Sequence, residues 1–429
     1  MKVAFYTLGC KVNQNDTQGL AALFLNKGYE VVPFEAGAAV YVINTCCVTR
    51  TGEQKSAQMI RKAGGLNPEA LIVVTGCYAQ TAPGEVAGIP GVHLVVGMGE
   101  RSRIVELVEE YYRNRRDQVV VGAMAEAPFW SSVDAGITER TRATLKIEDG
   151  CDQFCSYCIV PFARGPVRSM PPDQVIHEIS RLVGAGFREI VLTGIHLGAY
   201  GQDIQISLAD LLPRLVAIQG DFRIRLGSLE PTDFTEELMG AIFGQPKICP
   251  YLHIPLQNGS DRILRLMNRR YGAEEYGRLL ARIRERDPLI AVGTDLIVGF
   301  PGETVADFEE TTAFMKQQAF SRVHVFRYSP RRGTQAAEFP ERVPKRIQEE
   351  RSKIIQQIAA QTGETYARKL VGGLVEALFE TKVKSEWSGL TGEYLRVKIQ
   401  SELDLKNCLR EVSVEGYTGE YLQGSLVFP

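Results

Sequence analysis

The sequence has no run of about 18 apolar residues, so it offers no candidate for a membrane-spanning helix. It also lacks the charged, apolar and small-residue segments of a signal peptide, because Met1 leads directly into a strand-like run. A formal net charge of -2 leaves no overall excess of one sign that would attract a polyanion. These absences predict a cytoplasmic protein without a membrane partner, in which any contact with nucleic acid is local.

The cysteines do not form an evenly paired set. The chain has nine of them, an odd number that fits poorly with a framework built only of disulfides. Because the cytosol keeps thiols reduced, clustered cysteines there indicate metal binding or catalysis. The cysteines are therefore the first candidates for functional residues.

The length and composition are those of an ordinary globular protein. With 429 residues, of which 45% are apolar and 23% charged, the chain is long enough for two or three domains with real hydrophobic cores. Residues 1–116 alternate short apolar runs with polar periodic stretches, which predicts a parallel α/β domain. Its predicted strands cover residues 3–8, 40–44, 71–75 and 92–96.

A segment with little periodicity, residues 117–140, is predicted to be a linker. Residues 141–366 then contain six strand-like runs, and a helix-like segment follows each of the first five. Six parallel units predict an α/β partial barrel or a curved open sheet, with chemistry at the carboxyl ends of the strands. The predicted strands cover residues 143–148, 189–195, 223–229, 251–256, 293–299 and 322–328.

Residues 367–429 have a different pattern, in which glycines separate short strands. This pattern predicts a small all-β barrel of OB-like size. The predicted strands cover residues 375–379, 394–399, 411–415 and 424–428.

The clearest motif is Cys151-x3-Cys155-x2-Cys158, which directly follows the first strand of the six-unit domain. Three thiolates from one loop can ligate three irons of a 4Fe–4S cube and leave the fourth iron without a protein ligand. A structural zinc site or an electron-transfer cluster is the alternative. Structural zinc sites usually have two Cys-x2-Cys-like pairs, and this sequence has no second pair.

Three further cysteines each follow a predicted strand of the first domain, and they are Cys10, Cys46 and Cys77. The carboxyl ends of neighbouring parallel strands meet at one edge of a sheet. These thiols are therefore predicted to converge on a second three-cysteine site. Ordinary packing of buried thiols is the alternative that the spacing alone leaves open.

The triplet resembles the signature of the radical S-adenosylmethionine superfamily, including the aromatic Tyr157 just before its last cysteine. The six-unit domain is similar to the partial barrel of that superfamily. The resemblance implies that S-adenosylmethionine chelates the open iron through its amino and carboxylate groups. It also implies that one electron then splits the cofactor into methionine and a 5′-deoxyadenosyl radical.

The segments around the other three cysteines, residues 7–14, 44–49 and 75–80, resemble the N-terminal motifs of the methylthiotransferases. With the triplet and a terminal barrel similar to the TRAM domain of that family, the resemblance covers nearly the whole chain. It implies two 4Fe–4S clusters, whose ligands would be Cys10, Cys46 and Cys77 for one and Cys151, Cys155 and Cys158 for the other.

One position departs from the family motif. The family has a single cysteine where this chain has Cys46 and Cys47, and the match assigns the ligand to Cys46. Adjacent residues on a strand point to opposite sides, which makes Cys47 the weaker candidate. Cys249 and Cys408 match no motif and are interpreted as packing residues.

Residues near the ends of the barrel strands are candidates for contacts to S-adenosylmethionine or the substrate. Turns and helix caps are the alternative role for the polar side chains among them. His253 lies in an apolar run and is interpreted as a core histidine. The candidate binding residues are Tyr157, Gly194, Ser228, Glu230, Gln257 and Asp295.

Residues 322–369 contain eleven Lys or Arg and five Glu, a local basic excess on a near-neutral chain. Together with nearby aromatic residues, this excess predicts an RNA contact. A solvated helix face with intrahelical ion pairs is the alternative. The terminal barrel is not basic, since residues 365–429 have eight basic and nine acidic residues. It would contact RNA through shape and a few placed groups, or it serves another role.

The methylthiotransferase resemblance includes three branches, which modify threonylcarbamoyl-adenosine in tRNA, isopentenyl-adenosine in tRNA or an aspartate in a ribosomal protein. Residues 7–14, 146–151 and 225–231 resemble the first branch most. This implies radical methylthiolation of carbon 2 of N6-threonylcarbamoyladenosine next to the anticodon, by a monomer with tRNA as its partner. The alternatives are the other two branches, or an iron–sulfur RNA-binding or electron-transfer protein. The sulfur donor and the electron donor leave no signal in the sequence.

Overall fold

The structure, a computed structural model, describes residues 1–131 and 141–427. Helices and strands alternate through most of the chain, and strands dominate its end. Among the described helices, none has the length and apolar character needed to cross a membrane.

The first domain is a parallel sheet with strand order β2-β1-β3-β4-β5-β6. Strands β3 and β4 are buried along their full length, which is why uninterrupted apolar runs predict them well. The strands are β1 (Lys2–Thr7), β2 (Glu30–Val32), β3 (Val40–Thr45), β4 (Leu71–Gly76), β5 (Leu94–Val96) and β6 (Gln118–Val120). The helices are α1 (Lys11–Asn26), α2 (Arg50–Leu66), α3 (Cys77–Thr81), α4 (Pro83–Ala87) and α5 (Ile104–Asn114).

The two edge strands of this sheet, β2 and β6, are not predicted from the sequence. Each has three residues and none of them is fully buried, so their apolar signal is weak. Strand β6 pairs with β5, so the sheet extends into residues 117–140, which the sequence predicts as a linker. The first domain therefore reaches at least Val120 rather than ending at residue 116. Residues 132–140 of the predicted linker lie outside the described residues.

The central domain consists of two parallel three-stranded sheets, β11-β10-β7 and β12-β13-β14. A parallel bridge between Ser228 and His253 joins them into one arc of six strands, as predicted for a partial barrel. The strands are β7 (Arg142–Lys146), β10 (Glu189–Thr193), β11 (Arg223–Leu226), β12 (Tyr251–His253), β13 (Ala291–Val298) and β14 (Arg322–Arg327), with a short antiparallel pair, β8 (Glu148–Asp149) and β9 (Arg168–Ser169). The helices are α6 (Val160–Arg164), α7 (Pro172–Gly184), α8 (Leu208–Val216), α9 (Glu236–Ile242), α10 (Asp261–Leu266), α11 (Ala273–Arg286) and α12 (Val305–Gln318).

The two faces of this arc differ in polarity because alternate residues of a strand point to opposite sides. One face packs apolar side chains such as Leu145 and Ile190 against the surrounding helices. The inner face carries buried charged residues, and they include Lys146, Glu189, Arg223 and Arg225. Buried charges need partners, so this face is a site of ion pairs rather than a second hydrophobic core.

The C-terminal region begins with the long helix α13 (Lys345–Lys369) and ends in a closed barrel of order β15-β16-β17-β19-β18. Its strands are β15 (Leu374–Val383), β16 (Glu386–Thr391), β17 (Arg396–Gln400), β18 (Leu409–Tyr417) and β19 (Leu422–Leu426). The predicted all-β barrel is therefore present, but strand β16 is not predicted, because a serine and a glycine interrupt its apolar pattern. Phe428, at the end of the last predicted strand, lies outside the described residues.

Two arginines on the inner face of the arc connect it to the C-terminal barrel. Arg223 donates a hydrogen bond to the carbonyl of Leu390 at 2.8 Å, and Arg225 donates to the carbonyl of Gly392 at 2.7 Å. Both guanidinium groups also bind the buried carboxylate of Glu189, at 2.7 and 2.8 Å. Burial alone raises the pKa of Glu189, but the two arginines lower this pKa to about 2, so the carboxylate stays charged.

Candidate functional site

The cysteine triplet lies on a loop whose backbone is held on both sides. Gly150, with a φ of +116°, begins the loop, and a Cβ atom there would lie 1.9 Å from the carbonyl oxygen of Pro166. Ser156 anchors the middle, because its backbone N–H donates to the carbonyl of Met267 at 3.0 Å and its hydroxyl donates to that of Leu266 at 2.7 Å. The loop geometry is therefore fixed by glycine and by backbone contacts rather than by the thiols.

The chemistry of the triplet suits an iron–sulfur cluster with three protein ligands. All nine cysteines are free thiols. Arg269 donates to Sγ of Cys155 at 3.1 Å and pairs with the carboxylate of Glu230, so a cation stands beside the thiols. Burial raises the pKa of Cys151, and burial followed by the neighbouring Cys155 raises the pKa of Cys158 to about 12. Such thiols ionise when a metal replaces the proton.

The other three cysteines converge on the carboxyl edge of the first sheet. Cys10 precedes α1, Cys46 follows β3, and Cys77 begins α3 directly after β4. A Cβ atom on Gly9 would lie 3.1 Å from Sγ of Cys46, and Sγ of Cys77 lies 3.9 Å from Oδ1 of Asn13 in the first turn of α1. The structure thus gathers three thiols from separate strands, a donor set that also fits an iron–sulfur cluster.

Cys47 lies against this site but within the apolar core. It is 1% exposed and packs with residues such as Ile43 and Val74. Hydrogen bonding from the Cys47 thiol lowers the pKa of Cys77 to about 6. Cys47 is therefore a buried hydrogen-bond partner of Cys77, a role that adjacent sequence positions do not reveal.

A buried ionic network that sequence patterns did not predict connects the two cysteine sites. Arg164 bonds the carboxylates of Asp16 at 3.0 Å and Asp149 at 2.7 Å, and it donates to Oδ1 of Asn13 at 2.5 Å. Lys146 bonds the same two aspartates at 2.6 and 2.8 Å. Since Asp149 lies two residues before the triplet and Asn13 contacts Cys77, this network fixes one site relative to the other.

A cavity of about 200 Å³ opens where the first two domains meet. The first domain contributes Val48 and Thr49, and the central domain contributes Tyr157, Cys158 and the ends of several strands. The first and central domains therefore share this cavity. A substrate held there would be screened from bulk water on two sides.

Three of the six predicted binding residues line that cavity together, and they are Tyr157, Gln257 and Asp295. Gln257 has a φ of +67°, an uncommon backbone conformation for a residue other than glycine. The carboxylate of Asp295 contacts His253 and His324, at 3.2 and 3.1 Å. His253, interpreted from sequence as a core histidine, thus has a carboxylate partner at the polar inner face.

The other three predicted residues are Ser228, Glu230 and Gly194, and each makes a different contact. Glu230 reaches Cys155 only through Arg269, and Ser228 pairs with the backbone of His253. At Gly194, a Cβ atom would lie 2.4 Å from Oε2 of Glu148, so the glycine leaves room for that carboxylate. The binding roles of all six residues stay predictions.

Glu148 is a candidate that the sequence did not single out. Its Oε2 accepts a hydrogen bond from the backbone N–H of His196 at 2.7 Å, while its buried Oε1 has no hydrogen-bond partner among the described residues. Burial raises the pKa of Glu148 well above its ordinary value. An unpartnered acceptor three residues before Cys151 fits the cationic groups of S-adenosylmethionine.

The basic stretch at residues 322–369 is largely paired with acids. Arg327 binds Glu349 at 2.6 Å, and Arg331, which is buried, binds Glu53 of the first domain at 2.6 Å. Arg368 makes an intrahelical pair with Glu364 at 2.7 Å. Ion pairing, the alternative interpretation of this stretch, therefore accounts for several of its charges, and an RNA contact here stays a prediction.

Comparison with known families divides the chain in the same way as the structure does. Residues 2–97 match the model of a family described as uncharacterized protein family UPF0004, and residues 145–315 match the radical SAM superfamily. A solved radical S-adenosylmethionine methyltransferase, TsrM from Kitasatospora setae, shares 15% identity over 77% of this chain and 76% of its own, with a TM-score of 0.58. That likeness supports the fold alone.

Curated relatives match almost the whole chain. The threonylcarbamoyladenosine tRNA methylthiotransferase MtaB of Bacillus subtilis is 41% identical over 99% of this chain and 96% of its own length. Its counterpart from Aquifex aeolicus is 41% identical over 96% and 99%. A tRNA-2-methylthio-N(6)-dimethylallyladenosine synthase from Moorella thermoacetica is 39% identical over 90% and 88%. The chain therefore belongs to the methylthiotransferase family of radical S-adenosylmethionine enzymes.

Proposed function

We propose that this chain is a tRNA methylthiotransferase that replaces the hydrogen on carbon 2 of N6-threonylcarbamoyladenosine, next to the anticodon, with a methylthio group. The observation that carries this proposal is the placement of two three-cysteine sites on the two domains that share one cavity. Three relatives that carry the threonylcarbamoyladenosine name are 37–41% identical over at least 96% of this chain. They favour this base over other substrates.

The six strand-end and loop cysteines would hold two 4Fe–4S clusters, one at Cys151, Cys155 and Cys158 and one at Cys10, Cys46 and Cys77. With S-adenosylmethionine bound at the first site, this pair of cofactors supplies a carbon radical able to abstract hydrogen from an unactivated carbon–hydrogen bond. The second cluster would supply the sulfur, and a second S-adenosylmethionine would supply the methyl group. Such chemistry suits carbon 2 of adenine, which lacks an acidic proton that a carboxylate or imidazole could remove.

The protein's own residues would position these groups. Arg269, held between Glu230 and Cys155, places a fixed positive charge beside the triplet. Tyr157 and Gln257 would line the adenosine pocket, and Glu148 would accept a hydrogen bond from the methionine ammonium. The walls contributed by Val48 and Thr49 would keep bulk water from the reacting atoms.

The partners and location follow from this proposal. The tRNA would enter at the junction of the first two domains, and the terminal barrel would serve as a TRAM domain that contacts its backbone by shape. We propose that the protein works in the cytoplasm as a monomer.

Anaerobic reconstitution tests the cluster assignment. The protein should bind about eight irons, and replacing Cys151, Cys155 and Cys158 together with alanine should leave about four and abolish 5′-deoxyadenosine formation. Unchanged iron in that triple variant would contradict the assignment.

Nucleoside analysis tests the base. tRNA from a strain without this gene should lack 2-methylthio-N6-threonylcarbamoyladenosine, and plasmid expression should restore it. The relative named for dimethylallyladenosine makes isopentenyl-adenosine the competing substrate. Loss of its methylthio derivative instead would move the protein to that branch.

A further inference from the structure

The inner face of the central arc continues below the cavity as a row of polar side chains. Asp295 and Phe326 line the cavity, and alternate residues of a strand share a face. His324 and Arg322 therefore extend the same wall towards the amino end of β14. Register supports this, because Asp295 lies opposite His324 and Gly293 lies opposite Arg322.

A chain of hydrogen bonds fixes the direction of the Arg322 guanidinium. Nε of Arg322 donates to Nε2 of His324 at 3.1 Å, so that ring nitrogen is the acceptor. The other ring nitrogen, Nδ1, then carries the hydrogen and donates to Oδ1 of Asp295 at 3.1 Å. The second oxygen of Asp295 contacts His253 at 3.2 Å, which completes a rigid support.

The ring of Tyr394, from the turn before β17 of the terminal barrel, lies beneath this arginine. The Cζ atom of Arg322 is 4.9 Å from the ring centroid, and Nζ of Lys11 is 5.6 Å from it. Tyr394 has a φ of +70°, a left-handed conformation that costs free energy for a bulky residue and persists only where its surroundings enforce it. Three domains thus contribute one residue each to this group.

In the described part of the chain, Lys11 and Arg322 differ from the neighbouring cations because they have no acidic partner. Arg225, 4.7 Å from the same ring, pairs with Glu189, and Arg142 pairs with Glu380 at 3.0 Å. Within the described residues, neither Lys11 nor Arg322 has a carboxylate at ion-pair distance. The local field is positive, since burial raises the pKa of Tyr394 but Lys11, Arg142, Arg322 and Arg225 lower it below its ordinary value.

We propose that Lys11 and Arg322, held around Tyr394, bind the carboxylate of the threonylcarbamoyl group on the substrate adenine. This inference rests on the proposed function and names the residues that select its substrate. The N6 substituent is attached at carbon 6 of adenine, not at carbon 2. When carbon 2 faces the cysteine sites, the substituent therefore points to a different part of the enzyme. Lys11 directly follows Cys10, and Arg322 begins β14, the strand whose other end lines the Cys158 cavity.

The same anionic oxygens occur on a tRNA backbone phosphate, which is the competing source. A carboxylate contact discriminates between substrates, because an isopentenyl group carries no charge. A phosphate contact strengthens binding of every tRNA alike.

The test measures binding of an anticodon stem-loop by the cluster-loaded enzyme without reductant, so that no turnover occurs. One RNA carries N6-threonylcarbamoyladenosine, and the other carries its neutral carboxamide analogue. Wild type should prefer the carboxylate about 10- to 100-fold, because charge-assisted hydrogen bonds contribute that much. Lys11→Gln and Arg322→Gln should each reduce this preference, and the double variant should bring it close to one. Arg278→Gln, which removes an exposed arginine paired with Glu274, is the control for lost charge.

Each other outcome overturns the inference. If both RNAs lose affinity equally and the slope of log K against log salt falls by about one, the pair contacts a phosphate. If the preference is unchanged in folded variants with full iron content, the pair has only a structural role. Product formation by wild type, measured in parallel, distinguishes failure of this inference from failure of the proposed function. Methylthiolation without a preference for the carboxylate RNA rejects only this inference. No methylthiolation of this RNA rejects the proposed function and the inference with it.

Discussion

The two cysteine sites are built in opposite ways. One loop, residues 151–158, supplies all three thiols of the first, whereas the second takes one thiol from the end of each of three strand-containing segments. The loop site depends on local backbone, since Gly150 and Ser156 set its path. The second site depends on the register of β1, β3 and β4, because a shift of one residue would turn a thiol to the other face.

Among the residues that the structure describes, the ion pairs beside the two sites also differ, because the loop site has one and the other site has a network. Arg269 and Glu230 form one ion pair beside the loop. The site of Cys10, Cys46 and Cys77 is bordered by Arg164. This arginine shares two buried aspartates with Lys146 and Arg101. Burial by itself raises the pKa of Asp16, but Arg101, Lys146 and Arg164 lower it. A site assembled from separate strands therefore relies on a larger network that also spans two domains.

The largest expected effect separates the two sites by function. Cys155→Ala should abolish 5′-deoxyadenosine formation, whereas Cys77→Ala should retain it and lose methylthiolation, because only the first site is proposed to make the radical. Chromatography of 5′-deoxyadenosine and of digested tRNA from one reaction measures both. Loss of 5′-deoxyadenosine in a folded Cys77→Ala variant with an intact triplet would break this division.

A second effect tests the arginine that lies beside each cysteine site. Arg164→Met should destabilise the apoprotein by about 3–5 kcal/mol, since it leaves two buried aspartates short of a partner. Arg269→Met should cost less, because Glu230 is partly exposed and can be hydrated. Thermal unfolding followed by circular dichroism measures the difference, with Arg278→Met as a surface control. Equal losses for both arginines would contradict the comparison.

A third effect concerns thiol ionisation in the apoprotein. Cys77 has a pKa lowered to about 6 by the Cys47 hydrogen bond, while Cys46 and Cys158 have pKa values raised to about 12, mainly by burial. One thiolate should therefore appear, by its absorbance near 240 nm, as the pH rises through about 6. The step should vanish in Cys77→Ser and move to higher pH in Cys47→Ala. A step that persists in Cys77→Ser belongs to another thiol.

The smallest effect is expected at Cys47. Cys47→Ala should keep about eight irons, and Cys46→Ala should lower the iron content towards four, because only Cys46 is predicted to be a ligand. Iron analysis after reconstitution under identical conditions measures both. The reverse result would exchange the roles of the two cysteines.

Much of the architecture was predictable from local patterns. The buried strands β3 and β4 are uninterrupted apolar runs, and the Cys-x3-Cys-x2-Cys motif marks its site by spacing alone. Strands β2 and β6 were missed because each has only three residues and none of them is fully buried. Strand β16 was missed because a serine and a glycine interrupt its apolar pattern. Arg164 and Glu148 were missed because nothing in a linear sequence shows that a charged side chain is buried beside a distant acid or glycine.

The sequence by itself indicated the iron–sulfur chemistry of the triplet, because three thiols on one short loop stay close together in any fold. It also indicated the second set, because parallel strands place their carboxyl ends at one edge. Only the tertiary structure decided which cations have acids and which do not. Lys11, Arg322 and Tyr394 come from three domains, and their meeting depends on long-range packing that no local pattern encodes.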